Sequence, residues 1–424
     1  AVPSAGSVSD STAADLDWTK STTTLTAVWT GFSDALSGIQ KYEYAIGDTI
    51  GGTNVLSWTN NSTITSVTKT GLTLTNGTTY YISVRATDNV GNVSTVATAD
   101  GITIDTDNPV LTTPIEGSFA IDADYQNIAD TLVISWSGSD TASGIAMYEY
   151  ALDFVFSGIS LSLVPWTSAE TATADTLTGL SLLTEGATYY LSVRATDVAG
   201  NISDPDTSDG ITIDLTAPAG TTVSDGTGAD ISYSGSDTTL SANWVAFTET
   251  VSGVQKYEYA IGTTSGGTEV VTWTDNDTAT SVTKSGLTLS NGTEYYISVR
   301  ATDNAENVST TIISDGVSVD TAVPSAGSVS DSTAADLDWT KSTTTLTAVW
   351  TGFSDTLSGI QKYEYAIGTT SGGTELVTWT DNSTTTSVTK TGLTLTNGTA
   401  YYISVRATDN VGNVSTVATA DGIT

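Results

Sequence analysis

No cysteine and no histidine occur among the 424 residues, and 12 Lys and Arg face 47 Asp and Glu, for a formal net charge of −35. Each deficit excludes chemistry. Without histidine there is no Ser-His or Cys-His dyad, and no imidazole to ligate a metal or move protons near neutrality. Without cysteine there is no thiolate nucleophile, thiolate zinc site, disulfide framework or redox switch. Too few cations are present to neutralise a phosphate backbone, so nucleic acid is excluded as a partner, and an anionic membrane surface would repel the chain. No apolar run approaches the ~20 residues that cross a bilayer, so no membrane insertion is expected of this segment. Ala1 does not open a basic and apolar leader, and both ends fall inside a repeat. The sequence is therefore expected to be part of a longer chain, with any secretion signal or anchor outside it.

What is present builds cores. Hydrophobic residues make up 38% and charged residues only 14%, with 10 Trp, 18 Tyr and 6 Phe, which is not the composition of a disordered acidic tail. Self-comparison then decides the organisation. Val2–Thr103 recurs almost verbatim as Val323–Thr424, and two more divergent copies lie between. Tyr42-Glu-Tyr44 returns at Tyr148, Tyr257 and Tyr363, and Tyr80-Tyr81 returns at Tyr189, Tyr295 and Tyr401. The junctions read Asp105-Thr-Asp-Asn-Pro109, Asp214-Leu-Thr-Ala-Pro218 and Asp320-Thr-Ala-Val-Pro324. Domains are expected at 1–104, 105–213, 214–319 and 320–424, each about the size of a small β-sandwich.

Within a copy the period is two. Tyr80, Ile82, Val84 and Ala86 alternate with Tyr81, Ser83, Arg85 and Thr87, predicting one apolar and one wet face. Leu25–Trp29, Tyr42–Ile46 and Ile102–Ile104 read as further strands, separated by turn signals at Ser37-Gly38, Gly51-Gly52, Asn76-Gly77 and Asn89-Val-Gly91. The fold class is all-β: four tandem seven-stranded antiparallel β-sandwiches, expected in an elongated rod. Trp29 on an early strand resembles the fibronectin type III pattern, as do Leu72–Asp88 and the following Gly91-Asn-Val-Ser94. The resemblance makes Tyr80 a tyrosine corner, its hydroxyl bonded to backbone before the sixth strand. Ser33-Asp34 with Ser37-Gly-Ile39, paired with an Asp-Thr-x-x-Pro junction, is more similar to the tandem Ig-like repeats of large bacterial surface adhesins.

Carboxylates are the abundant reactive groups. They recur in every copy, whereas an enzyme needs one site, so catalysis is not expected. Trp58, Trp166, Trp273 and Trp379 share one position, and Trp18, Tyr125, Tyr233 and Trp339 another. Both sets are expected to be buried or half-buried packing residues rather than sugar platforms.

Topology gathers some of the acids. Where the chain enters a sandwich, the second-to-third-strand loop and the end of the sixth strand should lie close by. This brings together Asp105 or Asp107 with Asp140, Asp197 and Asp209 in the second copy. It brings together Asp214, Glu249, Asp303 and Asp315 in the third, and Asp320, Asp355, Asp409 and Asp421 in the fourth. Clustered carboxylates repel at about 1 kcal/mol per pair at 4 Å even in water. Ca²⁺, a hard cation tolerant of irregular oxygen sites, is the expected cofactor. The third site departs from the others in having Ala305-Glu306-Asn307 in place of Gly-Asn.

The function expected from these readings is that of a stalk segment of a bacterial surface adhesin or filament, extracellular and stiffened by calcium at its junctions. Its partners would be neighbouring repeats, other chains in fibres, or surface glycans. A carbohydrate-binding or spacer module of a secreted polysaccharide hydrolase is the alternative.

Overall fold

The computed structural model describes residues 1–12, 14–118, 121–156, 158–180, 183–333 and 336–424. Among these there is no helix. The chain divides into two compact units, Ala1–Leu215 and Thr216–Thr424, each holding two sandwiches.

The first repeat sets the pattern. Its strands are β1 (Ser7–Ser9), β2 (Trp18–Thr19), β3 (Leu25–Thr30), β4 (Ile39–Gly47), β5 (Leu56–Asn60), β6 (Ser66–Lys69), β7 (Thr79–Asp88), β8 (Ala97–Thr98) and β9 (Ile102–Ile104). One sheet runs β1-β3-β6; the other runs β2-β9-β7-β4-β5, with β8 also on β7. The seven-stranded sandwich is thus present with its first and last strands each split in two. β1 pairs antiparallel with β3, whereas β2 pairs parallel with β9. The chain therefore changes sheets between Ser9 and Trp18.

Alternation puts the same apolar set inward on each strand. Leu25, Ala27 and Trp29 of β3 are buried, and so are Tyr80, Ile82, Val84 and Ala86 of β7. Trp29, only 1% exposed, meets Tyr42 edge-on at 5.8 Å, and Phe32 meets the same tyrosine at 5.6 Å. Tyr42 and Tyr44 are core, with Glu43 outside. The tyrosine corner forms in all four copies: the hydroxyls of Tyr80, Tyr189, Tyr295 and Tyr401 accept from the amides of Thr75, Thr184, Ser290 and Thr396 at 2.8–3.0 Å.

The outer face of β7 is drier than the alternation predicts. Ser83 is fully buried and Thr87 nearly so. The Gly-rich loop after β4 folds back so closely that a side chain on Gly47 would lie 2.4 Å from Gly52. In the fourth repeat Gly372 of this loop donates to Ser404, the counterpart of Ser83, at 3.2 Å. The divergent second repeat replaces that loop by a long hairpin, Ile145–Phe156 and Ile159–Glu170.

The two aromatic positions resolve differently. Trp58, Trp166, Trp273 and Trp379 lie on the outer face under the guanidinium of Arg85, Arg194, Arg300 and Arg406, at 4.3–4.5 Å from ring centroid to Cζ; Trp166 is exposed rather than half-buried as expected, the others half-buried. Trp18 and Tyr125 are half-buried, but Tyr233 is exposed and Trp339 is 74% exposed, against the expected packing role. Trp18, Tyr125 and Tyr233 lie on the edge strand of their sheets, whereas Trp339 lies in no strand.

Candidate cation clusters at the junctions and at the strand switch

The predicted junction clusters assemble within the second and fourth repeats. Carboxylate oxygens of Asp105, Asp140 and Asp197 lie within 4.8 Å of one another, as do those of Asp320, Asp355 and Asp409. The acid at which the chain enters is buried, the loop acid half-buried and the end-of-strand acid buried in both. Asp107 is exposed and turns away to accept from Asn76 of the preceding repeat at 2.9 Å, leaving Asp105 as the residue that enters the cluster. Asp214 closes the first unit, while Glu249 and Asp303 belong to the second.

These acids are heavily hydrogen-bonded. Asp355 Oδ1 accepts the amides of Leu357 and Gly359 at 3.1 and 2.8 Å, an Asx-type loop closure. Asp320 accepts the amides of Ala322 and Ser358, both at 3.1 Å, which ties the entering chain to the loop. Asp409 accepts the amides of Val411 and Asn413 on Oδ1 and the Asn413 side chain on Oδ2. Asn413 Nδ2 also donates to the Asp320 carbonyl at 3.0 Å. The second repeat repeats the scheme with Asn201 between Asp197 and the Asp105 carbonyl. The first repeat has it too: the Asn92 side chain bridges Asp88 and the Ala1 carbonyl. Amide donors hold Asp88 well ionised: burial opposes the charge, but Asn92 and Val90 outweigh it and bring the carboxyl down to about 2. In the third repeat Asp303 keeps its bonds to Asn307, and Glu306 takes φ 69 where the other copies have glycine. The junction acids are thus first of all a hydrogen-bonded joint.

Three predicted members are not at the junctions. Asp209 lies instead with Glu116 and Asp122, and Asp315 with Asp225 and Asp230, again with oxygens within 4.8 Å. Asp421 faces Asp331, beside Asp336, and Asp100 faces Asp10, beside Asp15. The physical reason is the split last strand. Asp100 sits in the break between β8 and β9, next to the segment in which the first strand changes sheets. Sequence reasoning placed its counterparts Asp209, Asp315 and Asp421 at the opening of a continuous last strand, beside the junction. It missed Asp10 and Asp15 and their counterparts altogether. The available signal was an acid in or next to the first strand followed by another five residues on (Asp10–Asp15, Asp225–Asp230, Asp331–Asp336), or six on in the second copy (Glu116–Asp122).

The strand-switch acids have a different chemistry from the junction acids. Asp225 is 0% exposed; its Oδ2 accepts from Gly316 at 3.1 Å, and its Oδ1 has no partner. Asp10 is bonded to Gly101 at 3.0 Å through Oδ2, with Oδ1 unpartnered. Glu116 Oε1 takes Leu191 N–H and the Ser208 hydroxyl, and Oε2 is bare. Burial, with the neighbouring acids adding to it, pushes Asp10, Glu116 and Asp331 up to about 7 and Asp225 to about 6. The second acid of each pair is fixed by backbone: Asp15, Asp230 and Asp336 accept the amides of Asp10, Asp225 and Asp331 at 2.9, 2.7 and 3.0 Å.

No family model matches the chain. It is similar to exoglucanase B of Cellulomonas fimi, with 33% identity over 307 residues covering 72% of this chain and 25% of that protein. Endoglucanase B of the same organism is 33% identical over 290 residues, 67% of this chain and 25% of the enzyme. Chitinase A1 of Niallia circulans is 31% identical over 196 residues, 46% of this chain and 24% of the chitinase. The chain thus spans about a quarter of the length of each curated relative. Among solved structures it is similar to the chicken CNTN1 FN1–FN3 domains, with 16% identity over 74% of this chain and 99% of that one, at a TM-score of 0.30. It is also similar to the fibronectin(III)-like modules of Clostridium thermocellum CbhA, with 17% identity over 49% of this chain and 94% of that one, at a TM-score of 0.29.

Proposed function

We propose that this chain is a run of non-catalytic, fibronectin III-like spacer modules of an extracellular polysaccharide-degrading enzyme. The observation that carries the proposal is the 33% identity over 307 residues to exoglucanase B, matched over only a quarter of that protein. The match to a second enzyme named for glucan and to one named for chitin points the same way. The residues support a mechanical task. Each described junction replaces a flexible linker by a buried aspartate whose carboxylate and carbonyl are bonded to two loops of the next sandwich. Holding such a joint takes no substrate, no cofactor and no titrating base.

The test is to express the complete open reading frame with and without residues 1–424. The proposal expects hydrolysis of a soluble oligosaccharide to be unchanged by the deletion, while release of sugar from insoluble cellulose or chitin falls several-fold. The isolated segment should not be retained on either solid. Absence of hydrolytic activity in the complete product would overturn the proposal in favour of the adhesin stalk. The near-verbatim copying of the first repeat as the fourth favours that second reading, since repeat number would then set length.

A further inference from the structure

We infer that each sandwich binds a calcium ion where its first strand crosses between the sheets, held in the third repeat by Asp225, Asp230 and Asp315 and at the same place in the other three. The cluster alone would be an acidic surface. What makes it a site is Asp225, wholly buried, with one carboxylate oxygen bonded to the Gly316 amide and the other bare beside two further carboxylates. A buried, unpartnered carboxylate oxygen is costly, and a cation or a proton is what relieves it. The same arrangement stands in the divergent second repeat, with Glu116 for aspartate and a loop one residue longer. A longer side chain in a longer loop brings the bare oxygen to the same company.

The donor set selects the ion. It is all oxygen, with no imidazole or thiolate in the chain, which suits a hard cation. In the second and third repeats the oxygens lie within 4.8 Å of one another, close enough to share one ion at the roughly 2.3–2.6 Å of Ca²⁺ ligands. The third acid of each set is exposed, so water can complete an irregular shell of the kind Ca²⁺ accepts. The junction clusters lack this signature, because their buried oxygens already accept amide hydrogens. The strand-switch site does not depend on the proposed spacer role and can fail or hold separately from it.

The experiment is calorimetric titration of the whole chain, stripped with EGTA, with CaCl₂ and separately with MgCl₂ at matched ionic strength near neutral pH. One calcium per sandwich is expected, with Mg²⁺ weaker. Replacing the exposed acid in every copy (Asp100→Asn, Asp209→Asn, Asp315→Asn and Asp421→Asn together) should weaken calcium binding about tenfold or more, because one ligand charge is lost per site. Near-ultraviolet circular dichroism should show that variant folded. The junction double variant Asp355→Asn with Asp409→Asn should bind as the parent does. Calcium binding no stronger than magnesium, or unaltered in the fourfold variant, would overturn the inference and leave a proton as the partner of the bare oxygens. Loss confined to the junction variant would overturn it in favour of the junctions.

Discussion

Single side chains here do work that their neighbours in sequence cannot. Tyr80 and Tyr81 are adjacent aromatics with opposite duties. Tyr80 is buried and satisfies the Thr75 amide at 3.0 Å, whereas the Tyr81 ring lies over Gly101. Tyr80→Phe should destabilise the first sandwich by about 1 kcal/mol, since a part-buried amide loses its acceptor. Hydrogen exchange should show the Thr75 amide deprotected; Tyr81→Phe should leave it unchanged, and equal effects would invert the assigned register. Gly101 itself has φ +111, and an added Cβ would meet Tyr81 at 2.7 Å, so Gly101→Ala should be the more damaging of these changes. The strand-switch acids predict an unusual pH response. Asp225, facing Asp230 and Asp315, is raised from 3.8 to about 6, and Asp10, Glu116 and Asp331 to about 7. A raised carboxyl contributes stability that is fully present below its unfolded value and is lost as pH climbs through its folded value. Asp88, lowered to about 2, acts in the opposite sense and only in stronger acid. The melting temperature of EGTA-treated protein should therefore fall between about pH 4 and 7 and then level off. Added calcium should flatten that slope.

At the scale of strands, the outer face of each larger sheet carries a ladder of three side chains across β5, β4 and β7. Trp58 lies under Arg85, whose Nε donates to Glu43, and Lys41 reaches the same carboxylate, both at 3.2 Å. Burial opposes the charge of Glu43, but Lys41 and Arg85 outweigh it and keep the group below its usual range. In the second copy Met147 replaces the lysine, and Arg194 alone pairs with Glu149 at 2.7 Å. The pairs are about one-third exposed on the cation side, so solvent screening keeps each modest. Arg300→Lys retains charge but loses the planar stack on Trp273 and the directed Nε bond to Glu258; about 0.5–1 kcal/mol of stability should go with it. A shift in the urea midpoint with a redder tryptophan emission would report this, and an unchanged midpoint would mean charge alone matters. Strands of this kind were legible in the sequence because long runs such as Thr79–Asp88 show their period. The two-residue strands were not, since Trp18–Thr19 and Ala97–Thr98 are too short to display one. That gap misplaced Asp209, Asp315 and Asp421: a strand assumed continuous put them at its opening, and the break at Gly101 and its counterparts puts them at the strand switch.

For the molecule as a whole, the fourfold repeat and its junction triads were readable because internal duplication substitutes for an alignment. Asp105 with Asp140 and Asp197, and Asp320 with Asp355 and Asp409, meet as the connectivity demands. What the sequence does not display is whether an acid's oxygens are already engaged, and that distinction moves the cation argument from the joints to the sandwich edges. The same ladder of cations has a consequence for durability among proteases. Of the 12 basic residues, ten lie inside strands, four of them as the arginine of the ladder; Lys20 and Lys341 lie outside. A protease that cuts after lysine or arginine needs several residues of extended, unpaired backbone, which a laddered strand supplies only on opening. Lys20 is further held by the Gly200 carbonyl at 2.5 Å, whereas Lys341 is exposed in a loop. Trypsin should therefore make its first cut after Lys341, release a fragment ending there, and then stall. Early cleavage at Arg85 or Arg300 would show that the strands open far more often than their packing implies. A chain this poor in cations, with those few tucked into its sheets, offers a digestive environment almost nowhere to begin.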